Sequence, residues 1–317
     1  MHAYPIGIDL FYPNPPKLIA LEPWARLPEK FRKPIRCAWS EANQGGREID
    51  AFLEGPVFDT NGNLYVTDIP YGRVFRVDAA GQWELIAQYD GEPNGMKFLN
   101  EHELLITDYL NGLMLLDVRT GRVSPYLPRR NSESFRGLND LFIDSNRNIF
   151  FTDQGQTGMH DPTGRVYRLS PSGKLDLLLS NAPSPNGIVM SLDEKFLFVA
   201  MTRGNCIWRM PLQADGSISK AGQFFTSYGP SGPDGLAMSP DGMLMVANPG
   251  LGYVWGLNAL AEPEFVFQGT RGHSLTNLAF AAKRPEDLIR KFVVTDSTQS
   301  ALLIGAMNSG VPTSKSR

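Results

Sequence analysis

One pattern recurs six times along this 317-residue chain and constrains its fold more than any other feature. Short runs that are apolar on both faces appear at 62–68, 103–108 and 148–153, with looser copies at 196–201, 243–248 and 292–296. A strand apolar on both faces is one buried between two neighbouring layers. A second β-type run follows each, at 73–78, 113–118, 165–169, 205–210, 253–257 and 301–304. Another precedes each and opens on a polar residue: Glu54, Asn94, Asn139, Asn186, Asp234 and Asn277. Successive openings lie 40, 45, 47, 48 and 43 residues apart. Several strands in every 40–50 residues is the signature of propeller blades.

The expected fold is therefore all-β: a six-bladed β-propeller with four-stranded antiparallel blades around a central channel, forming one domain over 1–317. A β-sandwich also shows closely spaced turn signals, but it would not place a polar residue at one position six times. The length exceeds what one layered core usually supports, yet closed all-β folds are the exception. The 31 glycines and 24 prolines fit many tight turns.

The first 50 residues fall outside the repeat. Lys17-Leu18-Ile19-Ala20-Leu21 reads as a strand expected to complete the last blade and close the ring, removing an open edge. The charged segment 28–50, ending in Gln44-Gly45-Gly46-Arg47, reads as a surface insertion or as a flap beside the pocket, with Trp39, Arg47 and Phe52 as candidate walls. The stretch 308–317 reads as a frayed tail.

Composition excludes several classes. A net charge of −3 without a basic block argues against nucleic acid as a partner. No charged-then-apolar leader opens the sequence, and no apolar run approaches the roughly 18 residues of a membrane helix. Cys37 and Cys206 have neither metal-type spacing nor a disulfide framework, so a reducing cytoplasm is expected.

The six openings carry the chemistry. Asn94-Gly95, Asn186-Gly187 and Asp234-Gly235 would each pass singly for hairpin turns. That reading leaves Glu54 and Asn277-Leu278 unexplained. The innermost strand of a blade lines the channel, so one position per blade becomes a ring around the axis. Such a ring offers oxygen donors only, which selects a hard cation. Glu54 and Asp234 would repel without a counter-charge. Carboxamide oxygens complete a shell of the mixed kind that Ca²⁺ accepts, with another divalent cation left open.

The motifs Glu54-Gly55-Pro56, Leu138-Asn139-Asp140-Leu141, Ser184-Pro185-Asn186-Gly187-Ile188 and Pro233-Asp234-Gly235-Leu236 resemble the family of gluconolactonase, regucalcin (the senescence marker protein), the drug-responsive bacterial lactonase and diisopropyl fluorophosphatase. The resemblance spans 53–304. It implies that Glu54, Asn139, Asn186 and Asp234 bind the catalytic metal and that Asp234 is the catalytic base or nucleophile. Asn94, Asn277 and Asp140 are then expected to touch substrate or support the ligands. Tyr71, Tyr109, Gln154 and His160 follow blade strands expected to end near the same face. Two departures stand out: Gly137 replaces an arginine found in sugar lactonases, with Arg136 beside it, and Thr276-Asn277-Leu278-Ala279-Phe280 lacks the histidine of the fluorophosphatase's second calcium site. His2, His102, His160 and His273 form no paraoxonase-like pair. The expected activity is metal-dependent opening of a small lactone or other ester. A phosphotriesterase-like hydrolase and a non-catalytic calcium-binding interaction propeller are the alternatives.

Overall fold

In the computed structural model, which describes residues 15–269, 274–281 and 289–308, six sheets follow one another along the chain as blades of a six-bladed β-propeller. The expected tail beyond Asn308, the opening residues and His273 lie outside the described residues. Blade one consists of Leu53–Phe58, Leu64–Asp68, Arg73–Val77 and Trp83–Gln88, each antiparallel to the next. The inner strands of blades two to six are Pro93–Phe98, Leu138–Ile143, Pro185–Met190, Leu236–Met238 and Leu275–Phe280.

The core is six layers rather than one. In the second strand of blade two, Leu104 and Ile106 pack with Tyr65 and Val74 of blade one, while Leu105 packs with Phe151 and Tyr167 of blade three. Successive side chains of a strand point to opposite faces. Both faces are apolar because each meets a different neighbouring blade. Large side chains buried this way, such as Phe75, Phe151 and Phe292, contribute about 1.5–3 kcal/mol each.

Ring closure differs from expectation. The strand Lys17–Ala20 forms, but it pairs in parallel with Pro263–Gln268 and so adds a fifth strand to blade five. The next segment, Glu22–Arg26, supplies the fourth strand of blade six, antiparallel to the C-terminal strand. Pro23 masks this segment in the sequence, since proline lacks the N–H a ladder needs. An outermost strand tolerates it, and the register shifts between Pro23 and Ala25.

The repeated Thr-Asp dipeptides at the ends of second strands stitch the blades together near the axis. Thr67 Oγ1 donates to Asn94 O at 2.9 Å, Thr107 to Asn139 O at 2.5 Å and Thr152 to Asn186 O at 2.8 Å. In blade four Thr202 reaches Pro233 O at 2.8 Å. At the seam between blades six and one, Thr276 and Ser297 donate to Leu53 O at 3.1 and 2.7 Å. Each bond satisfies a buried hydroxyl and a buried carbonyl together. The partnering aspartates pin loops: Asp68 accepts from Phe52 N, and Asp153 from Arg136 N and Gly137 N.

Candidate active site

The ring residues sit at irregularities of the inner strands. The register shifts between Glu54 and Val57, Pro93 and Met96, Leu138 and Leu141, and Pro185 and Ile188. One extra residue per strand re-aims the side chain beside it. Asn94-Gly95 and Asn186-Gly187 are thus strand residues, and the hairpin reading of these pairs does not hold. In blade five, Asp234 precedes the strand and is held by Asp234 N donating to Ala247 O at 2.8 Å.

Blade six corrects the sequence alignment. Leu275 opposes Asp296 just as Leu53 opposes Asp68 and Leu138 opposes Asp153. The residue in register with Glu54 and Asn139 is therefore Thr276, not Asn277. Asn277 falls one step deeper, level with Gly55, Gly95, Asp140, Gly187 and Gly235. The glycines of this lower layer make room for its two side chains. A Cβ on Gly95 would lie 2.3 Å from Asp140 Oδ1, and one on Gly235 would lie 2.2 Å from Asn277 Oδ1.

Glu54, Asn94, Asn139, Asn186, Asp234 and Thr276 all line one cavity of about 420 Å³ at the end of the channel. A hollow of about 550 Å³ opens at the other end, lined by Val57, Met190, Met238 and Phe280 among others. It is mainly apolar and has no acid–amide ring, so the smaller cavity is the chemical one.

Neighbours fix the ring side chains. Glu54 Oε2 accepts from Gly55 N at 2.8 Å and from Asn277 Nδ2 at 3.0 Å. Asn139 Nδ2 donates to Gln154 Oε1 at 2.8 Å, and Gln154 Nε2 donates to Ser184 Oγ at 2.9 Å. Gln154 therefore occupies the amide nitrogen of Asn139 and leaves its oxygen for the channel. Asn94 Oδ1 is buried with no hydrogen-bond partner among the described residues.

Three carboxylates share this region, and each suffers for it. Burial pushes Glu54 up from 4.5 to about 7, with the charge of Asp140 adding to the effect. Burial likewise pushes Asp234 well above the usual range, reinforced by Glu54 and Asp140, while Asn186 and Arg203 oppose the rise. Asp140 is raised by burial and eased by Lys97. Among the described residues no three His, Cys, Asp or Glu side chains group as a metal cage by themselves. The donor set here is two carboxylates completed by carboxamide oxygens, which suits a hard divalent cation. Such a cation answers the repulsion.

Of the residues expected at this face, Tyr109 and Gln154 line the cavity. Tyr71 does not: its single hydroxyl proton is shared between Ile49 O, at 2.9 Å, and Lys33 O, anchoring the insertion. His160 is exposed and lies outside the lining. The insertion carries a helix, Ala38–Gln44, whose Trp39, Asn43 and Gln44 line the cavity, with Trp39 packed on Phe52 at 4.6 Å between ring centroids. Arg47 stays outside the lining. Residues the sequence did not single out are Thr276, Thr202, Arg203 and Ser231. Thr202, Arg203 and Ser231 lie on turns or bends beyond the strands, where the repeat carries no signal, whereas Thr276 lies in the inner strand Leu275–Phe280, beside the Asn277 that the sequence pattern favoured.

Comparison with known proteins places this architecture. The sequence matches the SMP-30/Gluconolactonase/LRE-like region over residues 52–288. Lactonase drp35 of Staphylococcus haemolyticus is 30% identical over 223 residues, covering 67% of each chain. A gluconolactonase of Zymomonas mobilis is 28% identical over 262 residues, covering 73% of each. Among solved structures, a gluconolactonase from Xanthomonas campestris superposes with a TM-score of 0.70 at 20% identity, covering 90% of this chain and 97% of that one. Regucalcin from Agrobacterium tumefaciens, described as a calcium-binding protein, superposes with a TM-score of 0.71 at 21% identity, covering 90% and 94%. With the matched region spanning every inner strand of the ring, the chain belongs to the SMP-30/gluconolactonase/LRE-like family.

Proposed function

We propose that this protein hydrolyses a small-molecule lactone, using a calcium ion held by Glu54, Asn139, Asn186 and Asp234. The observation that carries the reading is the pair of repelling carboxylates, Glu54 and Asp234, set among carboxamides on one small cavity. Relatives named lactonase and gluconolactonase support the substrate class. The cavity volume suits one small ring.

Calcium bound there supplies a Lewis acid that polarises the ester carbonyl and offsets negative charge on its oxygen. The side chains do the rest. Asp234 takes a proton from water as the water oxygen adds to the carbonyl carbon. The same proton passes to the departing ring oxygen, so one water adds across the C–O bond and a hydroxy acid leaves. The nearby Arg203 charge favours the carboxylate form that this requires. Glu54 stays an anion held by Gly55 N and Asn277 Nδ2. Gln154 keeps the Asn139 oxygen turned to the channel.

The test is turnover of lactone and phosphotriester panels before and after chelation, with elemental analysis of the purified protein. Chelation-sensitive lactone opening supports the reading. Turnover of phosphotriesters alone, or of nothing, refutes it. A single turnover in heavy-oxygen water then separates the two roles of Asp234: label in the product marks a base, and label in the Asp234 carboxylate marks a nucleophile.

A further inference from the structure

The cavity contains one side chain that the reaction outlined above does not need as a reactant. Arg203 is the only cation among the lining residues, and no carboxylate stands within 4.0 Å of its guanidinium among the described residues. Its placement is built in. It sits at the centre of the 3₁₀ turn Thr202–Gly204, closed by Asn205 in the left-handed region. Thr202 N donates to Ser184 O at 3.0 Å, two residues before Asn186, and Thr202 Oγ1 donates to Pro233 O at 2.8 Å, one residue before Asp234. The turn is therefore tied to the backbone of two ring residues. On its other side the stem runs past Gly158, where a Cβ would stand 3.5 Å from both Arg203 Cβ and Cγ. The guanidinium comes near enough to Asp234 to favour its carboxylate form, opposing the rise in pKa that burial causes.

Charge makes the consequence concrete. Of the groups that line the cavity, Glu54 and Asp234 bring two negative charges, which a divalent ion balances, and Arg203 adds one positive charge; Asp140, one layer below, is eased by Lys97. A planar fork of N–H donors, weakly hydrated and permanently charged, matches a carboxylate bidentately. Trp39, Phe52 and Tyr109 give the same cavity apolar and aromatic surface.

We infer that Arg203 is a specificity-determining residue and that the preferred substrate is a lactone carrying a free carboxylate on a ring substituent, which Arg203 binds while the ring ester faces Asp234. The inference rests on the lactone-hydrolase reading and narrows it to acidic lactones. Arg203 is exposed at the cavity mouth, so a neutral lactone would leave the guanidinium in water without its match, a loss of about two- to fivefold in binding.

The experiment compares matched γ-lactones differing in one substituent, a carboxylate, a neutral hydroxymethyl group or a phosphate ester, in the full-length calcium-loaded protein and in R203Q and R203K. The wild type should favour the carboxylate-bearing lactone over the neutral one. In R203Q the ratio of kcat/KM for acidic over neutral lactone should fall by about two- to fivefold, carried mainly in KM. R203K should keep part of the preference, since charge remains and the fork is lost. A ratio that R203Q leaves unmoved overturns the inference while leaving lactone hydrolysis standing. Preference for the phosphate-bearing lactone overturns the assignment to a carboxylate. If the wild type opens none of the three, the lactone reading itself falls, and this inference with it.

Discussion

Glu54 makes a prediction that separates function from stability. Its carboxyl is 3% exposed and its pKa stands at about 7 against 4.5 for an ordinary glutamate, through burial first and the charge of Asp140 after it. In metal-free protein the folded chain keeps the proton up to about pH 7, whereas the unfolded chain releases it near 4.5. The favourable contribution of the protonated form is therefore fully present below about 4.5 and is lost as the pH rises through 7. The gap corresponds to about 3 kcal/mol of destabilisation at pH 8 relative to pH 4.5. Glu54→Gln removes the ionisation and keeps the shape. In chelator at pH 8 the variant should be more stable than the wild type by up to about 3 kcal/mol, roughly 4–5 °C in Tm for a chain of this length. The advantage should fade on going to pH 5. Glu92 is also raised to about 7 but is so in both proteins and cancels, while loss of the Glu54 charge also eases the rise of Asp234 and adds to the difference in the same direction. Calcium should reverse the order at pH 8, because the wild type gains more from the ion than the variant, which lacks one ligand charge. The assay is thermal unfolding from pH 5 to 8.5, with chelator and with excess calcium. A Glu54→Gln protein less stable than the wild type in chelator at pH 8 would refute the reasoning.

Further outcomes follow from the same geometry. Asp234→Asn should lose nearly all lactone turnover while keeping a native far-ultraviolet spectrum, and near-normal rates at saturating calcium would rule out its catalytic role. Gln154→Leu should free the Asn139 amide to turn, weakening calcium affinity by about tenfold or more with recovery of turnover at excess calcium; unchanged affinity by calorimetry would show that Gln154 does not position Asn139. Replacing residues 40–48 with a short Gly-Ser linker removes Asn43 and Gln44 from the cavity wall and should alter the KM pattern across lactones with metal content intact. Uniform rates across the panel would mark the helix as surface.

What the sequence by itself determined is whatever repeats locally. Runs apolar on both faces, each preceded by a polar opening 40–48 residues from the last, specify blades, because each strand must bury both faces against its neighbours. Glu54, Asn94, Asn139, Asn186 and Asp234 were legible as one ring for the same reason: each stands at one place in its own repeat. The tertiary structure decided what depends on contacts between distant segments. Thr276 rather than Asn277 completes the ring, since that register is set where Thr276 meets Leu53 across the closing seam, 223 residues away. The strand that closes blade six is Glu22–Arg26, chosen by pairing with Ala301–Asn308 and not by the more apolar segment before it. Tyr71 was drawn away from the cavity by backbone carbonyls of the insertion, and Arg203 was brought into it by a turn bonded to the next blade. Inner strands inherit their positions from the repeat. Cavity walls come from turns whose aim is fixed only when neighbouring blades pack, and no local pattern records that packing.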